Sequence, residues 1–83
     1  MKTVRYSKAA LKTLRRMPRP DARRIADKVS QFATDPDSLS NNVRKLKGSE
    51  FLRLRIGDWR VIMDDQGIIL AVLKIGARGS VYE

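Results

Sequence analysis

Two arginines occupy alternating positions in a segment that otherwise consists of large apolar residues. In Leu52-Arg53-Leu54-Arg55-Ile56 the apolar side chains point one way and both arginines the other, which is typical of a β-strand with one buried and one exposed face. A guanidinium group presents a planar fork of N–H donors that matches two phosphate oxygens. Arg53 and Arg55 therefore predict a phosphate-binding face. Arg60, in the next strand, adds a third cation if it takes the same side, which the alternation around it does not fix.

The chain lacks two residue types that often carry out catalysis or bind metals, and this limits the reactions that this face could support. Its 83 residues include no histidine and no cysteine. This excludes a disulfide framework, a thiolate nucleophile, a Cys/His zinc site and the usual proton carrier at neutral pH. Arginine, lysine, tyrosine, serine and carboxylates remain, but Ser80 has no histidine to activate it, and Asp64 and Asp65 are turn residues that make a poor metal site. We expect no cofactor.

Positive charge is concentrated in two blocks of the sequence. The chain carries 18 Lys and Arg against 9 Asp and Glu, a formal net charge of +9 at pH 7. Residues 1–28 hold ten basic and two acidic side chains, residues 43–60 hold six basic and two acidic ones, and residues 29–42 hold no basic side chain. A fold that brings the two blocks together presents a large cationic face, which attracts polyanions such as nucleic acid or the ribosome.

The first half of the chain predicts a short strand followed by two helices. Residues 3–6 alternate polar and apolar side chains, as in a strand. Ser7 is placed to cap a helix that ends at Pro18-Arg19-Pro20, and Asp21 is placed to cap or open a second helix. Because few residues join the two helices, we expect an antiparallel hairpin. Apolar residues recur at helical spacing in both: Ala10, Leu11, Leu14 and Met17 in the first, and Ile25, Val29, Phe32 and Ala33 in the second.

The second half predicts a meander of antiparallel strands. Residues 38–42 are polar and turn-like, and after Gly48-Ser49 the apolar period changes from 3.6 to 2. Strands over 52–56, 59–63 and 68–75 are separated by turn residues, and the last of them, nearly all apolar, should lie centrally. The predicted class is α+β: an N-terminal strand, an antiparallel helix hairpin, and an antiparallel strand meander forming one twisted sheet with the helices packed on one face.

The length of the chain fits one domain. A chain of 83 residues builds a modest core, so we expect a single domain over residues 1–83. Its longest apolar run, six residues over 68–73, is far shorter than the roughly 20 needed to span a bilayer. The opening residues lead into a charged amphipathic stretch and not into an apolar signal segment. We expect no membrane partner and a cytoplasmic location.

Three sequence segments follow one another in a characteristic order. They are residues 43–48 (VRKLKG), 52–62 (LRLRIGDWRVI) and 72–78 (VLKIGAR), of which the middle one is the most specific. Together with the strand and helix hairpin before them, they resemble the RelE/ParE superfamily of small toxins from type II toxin–antitoxin systems. The resemblance covers almost the full length. It implies a cognate antitoxin, and either an mRNA interferase that cuts messenger RNA, usually on the ribosome, or a DNA gyrase inhibitor of the ParE branch.

The resemblance to RelE-like interferases also implies roles for individual residues. Two positions depart from the family pattern, since Phe51 and Ala77 stand where a basic side chain is common. They leave open a third alternative, a weakly catalytic basic RNA-binding member. By position, the expected catalytic residues are Arg53, Arg60, Arg78 and Tyr82, and the expected RNA-binding residues are Lys45, Lys47, Arg55 and Lys74.

RNA cleavage without a metal requires three things of these side chains. The 2′-OH must lose its proton, the pentavalent phosphate must be stabilised, and the leaving 5′ oxygen must be neutralised. Tyr82 is the candidate proton acceptor, because nearby guanidinium groups favour the phenolate. Arg53, Arg60 and Arg78 are the candidate phosphate clamps. The general acid stays unassigned, because the pKa of arginine, above about 12, makes it a poor proton donor.

Overall fold

A mixed β-sheet forms the centre of the molecule. The computed structural model describes residues 1–77, and within them five strands occur in the spatial order β1-β5-β4-β3-β2. Neighbouring strands are antiparallel except for β1, which runs parallel to β5. The predicted α+β class is confirmed, with the parallel pair as an addition. Along the chain the elements are β1 (Thr3–Tyr6), α1 (Lys8–Arg16), α2 (Arg19–Thr34), a 3-10 helix (Pro36–Asn42), β2 (Val43–Lys45), β3 (Leu52–Ile56), β4 (Trp59–Asp65) and β5 (Ile69–Ala77).

Both α-helices pack on the same face of the sheet. Helix α1 packs on β5, and α2 packs on β1 and β3. The apolar residues predicted for α2 are all buried, and in α1 Ala10 is buried and Leu14 packs against the same core. Leu11 was expected in this stripe but is exposed, because it lies about 100° around the helix from Ala10. No helix in the described part of the chain is long and apolar enough to cross a membrane.

Several boundaries differ from the sequence prediction. Strand β4 continues through Asp64 and Asp65, which were expected in a turn, because both pair with β5, and β5 itself spans Ile69–Ala77 and not 68–75. Helix α2 begins at Arg19 and not at Asp21, because Pro20 is well accommodated in a first turn, where its missing N–H costs nothing. The polar segment before β2 forms a 3-10 helix that buries Leu39 in the core. Strand β2 forms ahead of Gly48, whereas strands were expected only after it, because pairing with β3 stabilises a segment too short to show a period.

A bulge interrupts the pairing of β5 with β4. Met63 pairs with Val72, but its neighbour Ile62 pairs with Lys74, so Leu73 is an extra residue with no partner on β4. An extra residue of this kind breaks the two-residue alternation of side chains along a strand.

The bulge decides which residues of β5 face the helices. Leu70 and Val72 before it and Ile75 after it all belong to the main core. Strict alternation from Leu70 and Val72 would place Lys74 in that core and Ile75 outside it. The bulge exchanges these two positions, so the ammonium group of Lys74 lies on the opposite face.

Ser7 connects the bulge to the start of α1. Its hydroxyl donates a hydrogen bond to the carbonyl oxygen of Leu73 at 2.7 Å and accepts one from the N–H of Ala10 at 3.0 Å. Its own N–H donates to the carbonyl of Val72 at 2.9 Å. The predicted N-cap is therefore confirmed, and the same side chain also satisfies the carbonyl of the bulged residue.

We expect the Ser7→Ala substitution to lower the free energy of unfolding by about 1–2 kcal/mol, because it removes the cap of α1 and leaves the Leu73 carbonyl without its donor. Urea unfolding followed by circular dichroism measures this loss. Ser40→Ala is the matched control: Ser40 is exposed and its hydroxyl makes no hydrogen bond in the described structure, so its effect should stay within about 0.5 kcal/mol. Equal losses in the two variants would contradict the double role of Ser7.

The N-terminus is tied to the turn between β4 and β5. The ammonium group of Lys2 lies 3.0 Å from a carboxylate oxygen of Asp65 and donates to the carbonyl of Gly67 at 2.7 Å. The N–H of Gly67 donates to the same carboxylate at 3.0 Å. Burial opposes ionisation of Asp65, but the hydrogen bonds from Lys2 and Gly67 and the charge of Lys2 outweigh it, so the pKa of Asp65 is lowered.

Because the pKa of Asp65 is lower in the folded state, its ionised form stabilises the fold at pH values above the pKa of the unfolded state, which is about 3.9 for aspartate. This contribution disappears as the pH falls through the pKa of the folded state. We expect Asp65→Asn to lower the free energy of unfolding at pH 7 by at most about 1 kcal/mol, because the pair is partly exposed. The difference from wild type should shrink below about pH 4 in urea titrations. Asp37→Asn, at an exposed position, is the control; a loss at Asp65 that is constant with pH would refute the ionic explanation.

Candidate nucleic-acid interface

Basic side chains from four neighbouring strands lie on the sheet face opposite the helices. The pairing register places Arg44 of β2 opposite Arg53 of β3, Arg53 opposite Ile62 of β4, and Ile62 opposite Lys74 of β5. Side chains that are directly opposite across strands share a face. Arg55 and Arg60 form a second pair on the same face. We call this set the cationic face: Arg44, Arg53, Arg55, Arg60 and Lys74.

The alternation of β3 and the turn after it create this arrangement. Leu54 and Ile56 are buried under the helices, so the arginines between them face the other way. A two-residue turn follows, in which Gly57 takes a positive φ of 58°. This turn fixes the register of the hairpin and places Arg60 opposite Arg55, which decides the side that the sequence left open.

The cationic face contains two pairs of like charges. Arg44 lies opposite Arg53, and Arg55 lies opposite Arg60. Like charges at directly opposite positions destabilise a sheet. Within residues 1–77, Arg44, Arg55 and Lys74 form no ion pair with a carboxylate that would offset this repulsion. At the Arg55–Arg60 pair this opposition disfavours the free protein and is relieved when an anion binds, so the face is suited to a polyanion such as a phosphate backbone.

Arg60 differs from the other basic residues because it also holds its own hairpin. Its Nη1 atom donates to the carbonyls of Gly57 and Trp59, at 3.1 Å each. On the helix side of the hairpin, Trp59 Nε1 donates to Asp21 at 3.3 Å, and Arg24 lies 3.8 Å from the same carboxylate group. The hairpin is therefore fixed to α2 through Asp21 on one side and braced by a guanidinium group on the other.

The predicted RNA-binding residues do not all lie together. Lys45 shares a side of the sheet with Leu52, which packs against the main core, and its ammonium group pairs with Glu50 at 3.6 Å. Lys47 is exposed in the following turn, beside an open groove of about 530 Å³. The structure thus joins Arg53, Arg55, Arg60 and Lys74 on one face and leaves Lys45 on the other. The expected catalytic residues Arg78 and Tyr82 lie outside the described residues.

Arg44 is the member of the cationic face that the sequence analysis missed. It was overlooked because the three residues of β2 were not recognised as a strand. One feature of the sequence points to Arg44: its segment lies a few residues before β3, in which arginines alternate with apolar residues, and could therefore pair with that strand. On the same face, Leu46 and Ile62 are buried in a small apolar cluster together with Leu73, which anchors the turn after β2. No group of three acidic residues in the described chain is placed to hold a metal ion.

We expect Arg60→Ala to lower the free energy of unfolding by about 1 kcal/mol, because two carbonyl groups lose a charged donor. Arg55→Ala, its cross-strand partner and matched control, should leave stability unchanged within about 0.5 kcal/mol or raise it, since it only removes a repulsion. Urea unfolding of both variants provides the comparison. If Arg55→Ala proved as destabilising as Arg60→Ala, the bracing role of Arg60 would be wrong.

Comparison with known proteins identifies similar chains along almost the whole sequence. Residues 4–82 match the family model described as ParE toxin of type II toxin-antitoxin system, parDE. No curated protein sequence matches significantly. Among solved structures, the chain resembles the archaeal RelE-RelB complex from Pyrococcus horikoshii OT3, with 27% identity, a TM-score of 0.77, and coverage of 96% of this chain and 98% of that chain.

Two further solved structures show the same fold at lower sequence identity. The RelB-RelE antitoxin-toxin complex from Methanococcus jannaschii is 20% identical, with a TM-score of 0.74 and 95% of each chain covered. The intact E. coli RelBE toxin-antitoxin complex is 17% identical, with a TM-score of 0.75 and coverage of 93% of this chain and 96% of that chain. At these identities the likeness concerns the fold, and it covers more than nine tenths of the chain.

Proposed function

The chain belongs to the family of ParE toxins of type II toxin–antitoxin systems, within the RelE/ParE superfamily, and from this premise we propose that it is a metal-independent endoribonuclease that cleaves messenger RNA on the ribosome and so inhibits translation. The observation that carries the proposal is the presence of two pairs of opposed arginines on one face, Arg44 with Arg53 and Arg55 with Arg60. Five cations on a rigid sheet match the charge of an RNA backbone, and a chain without histidine has to rely on such groups.

The cationic face supplies phosphate binding and charge stabilisation. When the 2′ oxygen of a ribose attacks the adjacent phosphorus, negative charge increases on the non-bridging oxygens. Guanidinium groups at Arg53 and Arg60 hold these oxygens more strongly as the charge grows, which lowers the barrier. The bond from phosphorus to the 5′ oxygen breaks, and the leaving 5′ oxygen takes up a proton from solvent. The products are a 2′,3′-cyclic phosphate and a 5′-hydroxyl.

The proton-transfer roles in this proposal rest on sequence position alone. Tyr82 accepts the proton of the 2′-OH, and Arg78 adds electrostatic stabilisation; both lie outside the described residues. Because the chain has no histidine, much of the rate has to come from holding the RNA in line, which contributes up to roughly 7–11 kcal/mol in favourable cases. The ribosome supplies that geometry, so we expect weak cleavage of free RNA.

An antitoxin partner belongs to the same proposal. The similar archaeal and E. coli structures are complexes of RelE with RelB. We propose that residues 1–83 act as a single cytoplasmic domain that binds a cognate antitoxin, whose acidic or apolar segment covers the cationic face. Binding of negative charge there removes the repulsion between the opposed arginines and blocks access of RNA at the same time.

A second candidate function is inhibition of DNA gyrase. The observation that favours it is the matching family model, which describes the ParE toxin. In that case the cationic face serves binding only, and messenger RNA stays intact. A weakly catalytic RNA-binding member remains a variant of the first proposal, since Ala77 and Phe51 stand where basic side chains are common in the interferases.

We expect Arg78→Ala and Tyr82→Phe each to lower messenger cleavage by about 100-fold or more, the usual effect of removing a proton-transfer or charge-stabilising group. Mapping of messenger 5′ ends after brief expression in cells measures cleavage, and growth measures toxicity. Tyr6→Phe is the matched control, because Tyr6 packs half-buried against the main core, away from the cationic face. Its cleavage pattern should equal that of the wild type.

Two results would contradict the interferase proposal. One is undiminished cleavage and toxicity in the Arg78→Ala and Tyr82→Phe variants. The other is inhibition of supercoiling by purified gyrase while cellular messenger RNA remains intact, which would establish the second candidate. Salt-sensitive RNA binding without any cleavage would identify the weakly catalytic member instead.

A further inference from the structure

Phe51 is the exposed aromatic side chain of the described structure. It is 38% exposed, whereas within residues 1–77 Phe32 is buried and Tyr6 and Trp59 are half-buried against the main core. Its carbonyl accepts a hydrogen bond from the N–H of Leu46 at 2.9 Å, which continues the pairing of β2 with β3 by one residue. The backbone of Phe51 is therefore held by the sheet, which sets the position from which its partly exposed ring projects.

The pairing places Phe51 on the cationic face. Side chains alternate along β3, so Phe51 lies on the side of Arg53 and Arg55. Its cross-strand partner Leu46 packs with Ile62, which is on that face as well. Strand geometry puts the Cα atoms of Phe51 and Arg53 about 7 Å apart. An aromatic ring thus begins a row that continues with two guanidinium groups.

We propose that Phe51 is a base-stacking site for single-stranded RNA, in which the ring stacks on a nucleobase while the cationic face binds the phosphates of the same and neighbouring nucleotides. The inference rests on the proposed function and specifies the form of its substrate. Aromatic rings beside a cationic track are the usual means of binding single strands, because every base offers a flat π-face and a double helix hides it.

Charge favours RNA over a protein as the occupant of this position. A protein-docking patch requires contiguous apolar surface, but the apolar neighbours of Phe51 on this face, Leu46 and Ile62, are already buried. Two exposed cations of this face, Arg55 and Lys74, are free of carboxylate partners in the described chain, and the adjacent Glu50 carboxylate is paired with Lys45 at 3.6 Å. A ring in the same row as such cations complements a base attached to a phosphate.

The test measures binding of fluorescein-labelled 2′-O-methyl RNA, which cannot be cleaved because its 2′ oxygen is blocked, and of an abasic strand with the same number of phosphates. We expect Phe51→Leu to weaken binding of the normal strand about tenfold, and binding of the abasic strand hardly at all. Phe51→Trp, which keeps a ring, should restore affinity. Ile68→Ala, at an apolar position that is 82% exposed in the β4–β5 turn, is the control and should bind like the wild type.

Salt dependence separates stacking from phosphate binding. We expect Phe51→Leu to leave the slope of log affinity against log salt unchanged, since it removes no phosphate contact. Arg55→Ala should reduce that slope by about 0.7, the value for one phosphate contact on a single strand.

Three other outcomes would contradict the inference, and they differ in whether the proposed function fails as well. If the wild type binds both strands and Phe51→Leu binds them equally well, the stacking site is wrong and the proposed function stands. If neither strand shows salt-sensitive binding, the proposed function fails with it. If RNA binding is unchanged but sedimentation shows that Phe51→Leu abolishes self-association of the protein, Phe51 is a contact between copies of the chain. Circular dichroism confirms that all variants are folded.

Discussion

The bulge at Leu73 is the constraint on which both faces of the sheet depend. Strand β5 has neighbours on both sides, so its register has to satisfy a parallel and an antiparallel partner at once. Without the extra residue, Lys74 would enter the core, where an unpaired ammonium group is very costly. Ser7 stabilises the bulge through the carbonyl that the bulge displaces, and the same hydroxyl starts α1. Ser7 therefore links the position of α1 to the bulge that places Lys74 on the cationic face.

The buried face of the sheet holds arginines opposite each other on the exposed face. Val61 and Leu54, which are fully buried, pair across β3 and β4 in the middle of the core, and they hold the register that places Arg55 opposite Arg60. Stability lost on one face is offset by burial on the other. This is expected where selection acts on binding, because functional sites are the places where a sequence departs from the choices that stability alone would favour.

The sequence predicts the orientation of side chains correctly where the pattern within a single strand is sufficient. In β3 the alternation shows both faces at once, and the positions of Arg53 and Arg55 followed from it. The sequence does not predict a strand that is stabilised mainly by its pairing with a neighbour. The three residues of β2 are too few to show a period, so Arg44 is not identified from the sequence. The bulge was invisible because the run over residues 68–73 is apolar throughout, and a run without alternation cannot reveal a change of phase.

The same alternation explains why the site is built on a strand and not on a loop. Every second residue of β3 packs into the core, so Arg53 and Arg55 between them, and Phe51 just before the strand, stand at a spacing of about 7 Å. In the proposed cleavage, a chain without histidine has no strong general base, so the rate depends on orientation of the substrate. Under the same proposal, the rigid spacing of a ring and two guanidinium groups serves that orientation, because it fixes a base and its phosphates relative to each other before any bond is broken.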